Sequence, residues 1–509
     1  MSREKVELQR ARASIWTPLA LGALTLLGWL LWLPYLDAPL HVDAAGYATA
    51  AYWWANGDTL YQDLTITRPQ GIFVVFRAIE AVGLGSSRGI HIAAALVASA
   101  CALALYAVVA SIWDRKIALG SAALFTLLFA TPVFDGYTAN AELFMLLPLL
   151  FSLALLLRAD AYPLGGWRTT LLLAGSGFLI AAATLIKPAA VVTVPLAGLW
   201  LLLRALRERA SWRVVRWAGG ALAVGLVLGG GPAILHGWRT VPDLYFSAVL
   251  FYRVTQDSVL TETAGSQVAR MVQGVTYIVF RLPILLFVPL GMWTLRRSGA
   301  RAATFWWLWF GSSYAGVALG GSWTLHYYQQ LVPSLAVAAV LGLNHLLSRP
   351  RRGGWLLAQA LALAVGGVLL VTLVDLQAHG PRPADMAEYA NSPVEVVSEI
   401  GPIAAYLRAH TAADETIFVA YDQADIYYLS QRRPAIRWIY PRELKWTPGA
   451  FAELVARLDD PATAPRYVVG AQPFDASGFD RDGALRAVIA RDYRVETVIG
   501  PVQLYRRIN

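Results

Sequence analysis

The sequence is poor in cysteine and in charged residues. Its 509 residues include one cysteine, Cys101, which lies inside an apolar run. A single cysteine cannot form an intramolecular disulfide or a cysteine-based metal site, and it does not indicate the redox state of the compartment. Asp, Glu, Lys and Arg together make up 15% of the chain, whereas soluble domains average about 25%. The composition therefore argues against a typical soluble protein and against a disulfide-stabilised one.

Hydrophobic residues, in contrast, make up 57% of the chain. They form apolar runs of about 20 residues separated by short basic loops, which is typical of a polytopic α-helical membrane protein. Eleven runs are predicted as membrane spans: about 16–36, 89–112, 117–133, 142–158, 169–186, 188–203, 217–236, 275–295, 302–320, 331–347 and 355–374. The first follows a basic start without a small-residue cleavage site, so we predict a retained helix. The fifth and sixth are short and meet at Lys187-Pro188, where proline favours a break in a shallow hairpin.

Lysine and arginine are distributed unequally between two sets of loops. The N-terminus and the loops at 113–116, 158–168, 204–216, 296–301 and 348–354 hold 19 of them, and the loops at 37–88, 134–141, 237–274 and 321–330 hold 6. The positive-inside rule places the first set in the cytoplasm and the second on the exoplasmic face. The net charge of +9 is explained by a membrane and predicts no nucleic-acid partner. We predict a multi-pass protein of the cell (inner) membrane with a cytoplasmic N-terminus.

The pattern of the sequence changes at about residue 375. Residues 375–509 contain no run of membrane length, and we predict that they form an exoplasmic (periplasmic) α/β domain after a transmembrane domain of residues 1–374. Helices are predicted at 394–409, 451–458 and 484–491, and strands at 416–421, 466–470, 495–499 and 502–505. The 135 residues are enough for a separate core. They contain no glycine-rich phosphate loop, so nucleotide binding is not expected.

Two carboxylates on the predicted exoplasmic face are candidates for acid–base chemistry. Asp43 lies in the first loop among aromatic residues. The alternative interpretation is an ordinary solvated loop whose aromatic side chains occupy the membrane interface. Glu142 begins the fourth predicted span, where Asn140 is placed to cap the helix and the helix dipole favours an acidic first turn. An ionisable residue at such a boundary is still a functional candidate, because its burial is costly.

Three basic residues complete the candidate site. Lys187 is at the tip of the predicted hairpin on the exoplasmic side. Alternatively, it has no functional role and only extends its ammonium group to the membrane interface. Arg281 lies within the eighth predicted span, where a cation needs a phosphate or carboxylate partner. His326 lies in an aromatic-rich turn, with a phosphate, a metal or the membrane interface as alternatives. Cations beside carboxylates suit a reaction on a lipid-linked phosphosugar, in which cations hold the leaving phosphate and a carboxylate deprotonates the acceptor.

The order of the motifs resembles that of the type C glycosyltransferases that use polyprenyl-phosphate sugars, and in particular the bacterial homologues of protein mannosyltransferases and aminoarabinose transferases. The resemblance covers most of the chain and is carried by Asp43-x-x-x-Tyr47, Asn56-Gly57-Asp58-x-x-Tyr61-x-Asp63, Arg68-Pro69-x-Gly71, Asn140-Ala141-Glu142, Lys187-Pro188, His326-Tyr327-Tyr328 to Pro333, and Ile426-Tyr427-Tyr428-Leu429. It implies that Asp43 is the general base, that Glu142 is the acidic residue of the second exoplasmic loop, and that the lipid phosphate meets Lys187, His326 and Tyr327.

Further substrate contacts are expected at Tyr47, Asp63 and Arg68, which lie in the matched motifs, and at Arg281. The sequence departs from the family at one position. Many relatives carry Asp-Glu at the first motif, but Asp43 is followed by Ala44, which weakens the case for a second carboxylate or a metal in that loop. Relatives differ in their use of metals, so no cofactor is assigned. A divalent metal ion held by Asp43 and Glu142 stays open.

The predicted function is an inverting transfer of a sugar from a polyprenyl-phosphate donor to a hydroxyl or amine on the exoplasmic face of the membrane. Acceptors in such families include lipid A, polysaccharide, glycolipid and protein, and the sequence does not select among them. The alternative is a transporter or flippase of lipid-linked sugars, which should show internal repeats and polar residues in mid-membrane. A receptor or assembly scaffold would leave the carboxylate loops unexplained. From the resemblance, the α/β domain caps the site or guides acceptors.

Overall fold

The computed structural model describes residues 3–250, 264–321, 323–348, 354–379, 398–471, 478–480 and 482–508. The part that precedes residue 380 is helical. Its helices are α1 (Arg3–Trp32), α2 (Val42–Ala55), α3 (Gln70–Ala81), α4 (Ser87–Ala110), α5 (Arg115–Phe129), α6 (Ala141–Ala159), α7 (Trp167–Ile186), α8 (Thr193–Arg207), α9 (Trp212–Thr240), α10 (Ala264–Arg281), α11 (Val288–Thr294), α12 (Ala300–Gly320), α13 (Val332–Leu347) and α14 (Gly354–His379).

Several of these helices are long and apolar enough to cross a membrane. Within the described residues there are six such segments: Trp16–Tyr35, Ser87–Ala110, Ala141–Ala159, Trp167–Ile186, Pro188–Arg207 and Trp212–Thr240. A seventh candidate is a broken pair, Gly265–Arg281 and Pro283–Arg297, with a bend of 102°. The predicted span at 275–295 is therefore not one straight helix, because Pro283 cannot donate a backbone hydrogen bond and its ring clashes with the preceding turn. Each of the eleven predicted runs contains helix, but eleven spans are not established.

The predicted break at Lys187-Pro188 is present in the structure. α7 ends at Ile186, Lys187 has extended backbone, and a 3-10 helix of Pro188–Val192 leads into α8. The flanking segments are 20 residues each and both reach membrane-spanning length. The expected short, shallow hairpin is therefore wrong. The predicted sixth run ends at residue 203, just before Arg204. In the structure α8 continues to Arg207, because the Arg204 side chain is buried and paired with carboxylates.

The loops form two groups in space, in agreement with their charge. On one face, His326 from the loop at 321–330 contacts Asp135 from the loop at 134–141. On the opposite face, Arg204 donates to the carbonyl of Tyr162 at 2.5 Å, and Arg301 lies 3.1 Å from Asp160. The loops predicted to share a side thus meet one another. Which of the two faces is exoplasmic remains a prediction.

The C-terminal region contains a small mixed sheet flanked by helices. Its strands are β1 (Thr416–Val419), β2 (Arg433–Pro434), β3 (Tyr467–Ala471), β4 (Tyr493–Ile499) and β5 (Val502–Arg507), and its helices are α15 (Ile400–His410), α16 (Asp425–Ser430), α17 (Pro441–Trp446), α18 (Ala450–Asp459) and α19 (Ala484–Asp492). The strand order is β2-β1-β3-β5-β4, with β1 parallel to both neighbours and β5 antiparallel to both of its own.

The predicted helices and strands of this region are present within a few residues of their expected bounds. The start of the first predicted helix, 394–397, lies outside the described residues. β2, α16 and α17 were not predicted, because each is too short to produce a periodic pattern. α14 runs to His379, so the proposed domain boundary at residue 375 falls inside a helix.

The C-terminal region packs directly on the loop at 37–88. Thr65 forms a parallel β-bridge with Trp438, and the hydroxyl of Tyr440 donates to the carbonyl of Val42 at 2.8 Å. Gly46 faces that hydroxyl so closely that any Cβ there would collide with it. Glycine at this position therefore permits the contact between α2 and the C-terminal region. The contact brings the segment around α17 to the first turn of α2.

Candidate active site

Asp43 lies in the first turn of α2. His41, the residue before α2, caps this helix, because its Nδ1 accepts the backbone N–H of Asp43 at 3.2 Å. A carboxylate in the first turn of a helix is stabilised by the positive end of the helix dipole. The side chain of Asp43 keeps 21% of its surface exposed. Asp43 is therefore held by its helix and still accessible to a substrate.

The C-terminal region supplies a cation to this carboxylate. The Nη2 atom of Arg442 lies 3.3 Å from Oδ1 of Asp43, and its Nε lies 3.7 Å from Asp422. The Arg442 guanidinium also lies over the ring of Tyr440, 4.5 Å from its centroid. Burial would raise the pKa of Asp43, but the charges of Arg442 and Arg68 outweigh it and hold that pKa well below its ordinary range. Asp43 is thus an anion at physiological pH.

Arg68 is the second arginine near Asp43. It forms a side-chain hydrogen bond with Tyr47, one turn after Asp43 on α2. The preceding Thr67 is fixed by Glu443, whose Oε1 accepts both the backbone N–H and the hydroxyl of Thr67 at 2.9 Å. Burial raises the pKa of Glu443 to about 7, although the two hydrogen bonds from Thr67 oppose the shift. The position of Arg68 therefore depends on the C-terminal region.

A second group of charges surrounds Glu142, at the start of α6. Its Oε1 forms an ion pair with Nζ of Lys187, and both side chains are largely buried. The Lys187 ammonium also lies 3.9 Å from the centroid of the Tyr327 ring. His326 lies between two carboxylates, with Nδ1 3.2 Å from Asp135 and Nε2 3.7 Å from Glu142. The loop at 134–141, the turn at Lys187 and the loop at 321–330 thus converge.

Two histidines connect the group around Asp43 with the group around Glu142. The rings of His41 and His326 meet edge to face, with 5.9 Å between their centroids. Burial and the charge of Lys187 lower the pKa of His326 well below its ordinary value. Burial also lowers the pKa of His41, although the charge of Asp43 opposes this. Both rings are therefore neutral near pH 7 and can donate or accept a hydrogen bond without carrying charge.

Most of the predicted site residues meet in this arrangement. They are Asp43, Tyr47, Arg68, Glu142, Lys187, His326 and Tyr327. Asp63 does not join them, because its exposed carboxylate accepts the backbone N–H of Thr59 at 2.7 Å and closes a local turn. Arg281 is exposed at the end of α10, 5.3 Å from the ring of Tyr277. Within the described residues Arg281 forms no ion pair with the carboxylates of the site, and α10 ends there, ahead of Pro283.

Four residues of the site were missed from the sequence: His41, Asp135, Asp422 and Arg442. Asp135 lies in the loop that leads into Glu142, and His41 lies two residues before Asp43. Both could have been found by considering every polar residue near the two predicted carboxylates. Arg442 is one of several arginines in the C-terminal region, and no local pattern distinguishes it. The proposed capping role of Asn140 is also wrong, because its side chain makes no cap hydrogen bond and is buried.

The carboxylates of this site do not fit the divalent metal left open by the resemblance. Asp43 is paired with Arg442, and Glu142 is paired with Lys187, so each carboxylate already has a cationic partner. The residues that the structure describes contain no group of three or more His, Cys, Asp or Glu side chains able to hold a metal ion. We therefore derive no step of the chemistry through a metal.

No protein-family model matches the sequence, and no curated protein matches it. Solved structures do match. ArnT from Cupriavidus metallidurans bound to undecaprenyl phosphate is 15% identical, with coverage of 97% of this chain and 98% of that one and a TM-score of 0.61. The archaeal oligosaccharyltransferase AglB from Archaeoglobus fulgidus, in complex with an inhibitory peptide and a dolichol-phosphate, is 12% identical, with coverage of 97% and 74% and a TM-score of 0.54. The chain has the membrane fold of the type C glycosyltransferases.

Proposed function

We propose that this protein is a membrane glycosyltransferase that moves a sugar from a polyprenyl-phosphate donor to an acceptor hydroxyl or amine. The observation that carries the proposal is the partly exposed carboxylate of Asp43, which faces Arg442 and has the charge of Arg68 nearby. The fold supports the donor class, because the two similar structures contain undecaprenyl phosphate and dolichol-phosphate. An inner-membrane location, with the site on the exoplasmic face, is part of the proposal and follows from the loop charges.

Asp43 is the proposed general base. Its carboxylate takes the proton of the acceptor hydroxyl, whose oxygen attacks the anomeric carbon as the bond to the phosphate oxygen breaks. The sugar is transferred with inversion, and the polyprenyl phosphate leaves with the bonding electrons. Because Arg442 keeps the pKa of Asp43 low, the carboxylate is ionised but only weakly basic. We therefore expect proton transfer to accompany the breaking of the glycosidic bond and not to precede it.

The leaving phosphate needs positive charge, and the site provides it. Arg68 and Lys187 are the proposed phosphate contacts, because hydrogen bonds from cations to an anion stabilise the charge that develops on the phosphate. Glu142 positions Lys187 through their ion pair, and the neutral His326 ring contacts both Asp135 and Glu142. Tyr327 covers the Lys187 ammonium. These three residues have a proposed positioning role, and Asp43 has the chemical one.

Neither the acceptor nor the sugar follows from these residues. Lipid A, polysaccharide, glycolipid and protein are all compatible acceptors. The C-terminal region contributes Arg442 to the site and fixes Thr67 beside Arg68, so we propose that it completes the site and borders the route of the acceptor.

The experiment that tests the function uses the purified full chain with labelled polyprenyl-phosphate sugars in detergent or nanodiscs. Transfer or release of the labelled sugar by the wild type, and its loss in Asp43→Asn, is the expected result. Movement of the intact donor between the leaflets of a vesicle, without cleavage of the glycosidic bond, would instead establish a flippase and contradict the proposal.

A further inference from the structure

A polar cavity lies at the face of the bundle opposite the candidate active site. It has a volume of about 490 Å³, and its lining includes four arginines and two carboxylates: Arg158, Arg204, Arg207, Arg301, Asp160 and Glu208. The helices α4, α6 and α8 end around it, and α12 begins there. Because these are the ends of apolar helices, the cavity lies at the level of a membrane surface, where lipid head groups are found.

Two of the four arginines already have carboxylate or carbonyl partners within the protein. Arg204 is buried, and its guanidinium bonds Glu208 at 2.7 Å and the carbonyls of Ala159 and Tyr162 at 3.0 and 2.5 Å. Arg301 lies 3.1 Å from Asp160, which also faces Arg204 at 3.5 Å. These contacts join the end of α6, the end of α8 and the start of α12. They form a fixed wall for the cavity.

The other two arginines differ in their partners. The guanidinium of Arg158 lies 5.8 Å from the centroid of the Tyr162 ring. That of Arg207 lies 5.4 Å from the ring of Trp200, and its Nε lies 3.4 Å from the carbonyl of Leu203. Within the described part of the chain neither forms an ion pair with a carboxylate. The cavity lining therefore has a formal charge of +2, with two guanidinium groups that retain donors for a ligand.

We propose that this cavity binds a phosphate-bearing anion, either the head group of an anionic membrane lipid or free phosphate, through Arg158 and Arg207. Guanidinium groups match the geometry of phosphate oxygens and bind them through paired charge-assisted hydrogen bonds. Basic pockets between membrane helices at a membrane surface are suited to lipid head groups. The site is separate from the proposed donor site, which lies at the opposite ends of α6 and α7.

A simpler role for these arginines is the stabilisation of helix ends. Arg158 and Arg207 lie in the last turns of α6 and α8, where a cation interacts favourably with the helix dipole. In that case their removal would lower the stability of the protein without affecting anion binding. Affinity and stability therefore have to be measured separately.

The test measures the apparent affinity of the purified full chain for dioleoyl phosphatidylglycerol in neutral detergent, by native mass spectrometry. We expect the double substitution Arg158→Gln and Arg207→Gln to weaken binding roughly tenfold, because each removes charge-assisted hydrogen bonds to the phosphate. Arg296→Gln is the matched control. Arg296 is exposed, its Nε lies 3.5 Å from the carbonyl of Trp293, and its guanidinium lies 5.7 Å from the centroid of the Trp293 ring. It therefore resembles Arg207 in its contacts but does not line the cavity.

Two further variants separate binding from folding. Arg158→Lys with Arg207→Lys keeps the charge and should retain most of the affinity. Glu208→Gln removes a negative charge from the lining, so it should tighten binding severalfold even if it lowers the thermal unfolding temperature. A role limited to the helix ends predicts no gain from Glu208→Gln.

The source of the anion is distinguished by a parallel titration with inorganic phosphate. Displacement of the lipid by phosphate at comparable concentration identifies the cavity as a site for free phosphate, whereas retention of the lipid identifies it as a head-group site. The proposal is overturned if the glutamine double variant binds phosphatidylglycerol and phosphate as the wild type does, or if Arg296→Gln weakens binding equally.

Discussion

An arginine is paired with a carboxylate at each face of the helix bundle: Arg204 at one face and Arg442, beside Asp43, at the other. The two ion pairs differ in how many hydrogen bonds their side chains already form within the protein. Arg204 is 3% exposed and is bonded to two carboxylates and two backbone carbonyls. Asp43 meets Arg442 at 3.3 Å and keeps 21% of its side-chain surface exposed. The first pair joins loops, whereas the second leaves a charged oxygen accessible to a substrate. In this comparison the buried Arg204 has its hydrogen bonds satisfied within the protein, whereas Asp43 keeps an accessible surface beside its arginine.

Asp43→Asn tests the chemical half of this comparison and should have the largest effect. The amide keeps the shape of the side chain but cannot accept a proton at neutral pH, so turnover should fall on the order of 10²–10⁴-fold, the usual contribution of a general base. The measurement is sugar transfer by purified protein, together with donor affinity, which should be retained.

Asp37→Asn is the matched control for this substitution. Asp37 lies in the same loop and forms an exposed ion pair with Arg88, and exposed pairs contribute little. Near-wild-type turnover of Asp43→Asn would end the proposed mechanism. Glu142→Gln should reduce turnover less than Asp43→Asn does, because its proposed role is to position Lys187.

Arg204→Ala tests the structural half. Asp160 would keep its partner Arg301, but the carbonyls of Ala159 and Tyr162 would lose their donor. A buried acceptor left without a partner costs about 1–3 kcal/mol in the free energy of unfolding. Thermal or denaturant unfolding measures it, and the donor affinity of the folded fraction should not change. A variant as stable as the wild type would show that the contacts of Arg204 do not hold the loops together.

Lys187→Ala should weaken donor binding more than it slows the turnover of bound donor. A charge-assisted hydrogen bond to a buried phosphate contributes roughly 1.5–3 kcal/mol, or about 10–100-fold in affinity. Equilibrium binding of a labelled donor measures this directly. Arg281→Ala removes the same charge from an exposed position, and we expect it to leave donor affinity unchanged. Equal losses in both variants would place Arg281 in the site after all.

Arg442→Gln should have a smaller effect, and one with a distinctive pH dependence. Arg442 lowers the pKa of Asp43, so its removal raises that pKa. The base form is then lost at a higher pH, and the acidic limb of the profile of kcat/KM moves upward. We expect about tenfold lower activity at neutral pH, which corresponds to about 1.4 kcal/mol. Arg442→Lys keeps the positive charge, so it should return the acidic limb part of the way to its wild-type pH. If the limb does not move in Arg442→Gln, Arg442 does not set the pKa of Asp43.

Chelation should have the smallest effect. Because Asp43 and Glu142 are paired with cations, treatment with EDTA should change turnover by less than about twofold. Removal of a catalytic metal would have a much larger effect, since such a metal stabilises the transition state by several kcal/mol. Loss of activity that is restored by a divalent ion would show that these carboxylates exchange their partners when substrate binds.

Several features of the fold were predictable because they depend on local patterns. Long apolar runs identified the long helices, the charge of the loops predicted which loops share a face, and short apolar runs located the strands at 416–419 and 467–471. The errors also have local causes. The run at 275–295 contains Pro283, which breaks the helix, and the run ended at Arg204 continues because that charge is neutralised by residues outside the run.

By itself the sequence determined the membrane class, the grouping of the loops and the candidacy of Asp43, Glu142, Lys187 and His326. Only the tertiary structure decided which charges meet. Asp43 and Arg442 are 399 residues apart, and their contact depends on the packing of the C-terminal region against α2, where Gly46 leaves space for Tyr440. Hydrophobic periodicity is a property of neighbouring residues, whereas an ion pair across such a separation exists only after both elements are packed.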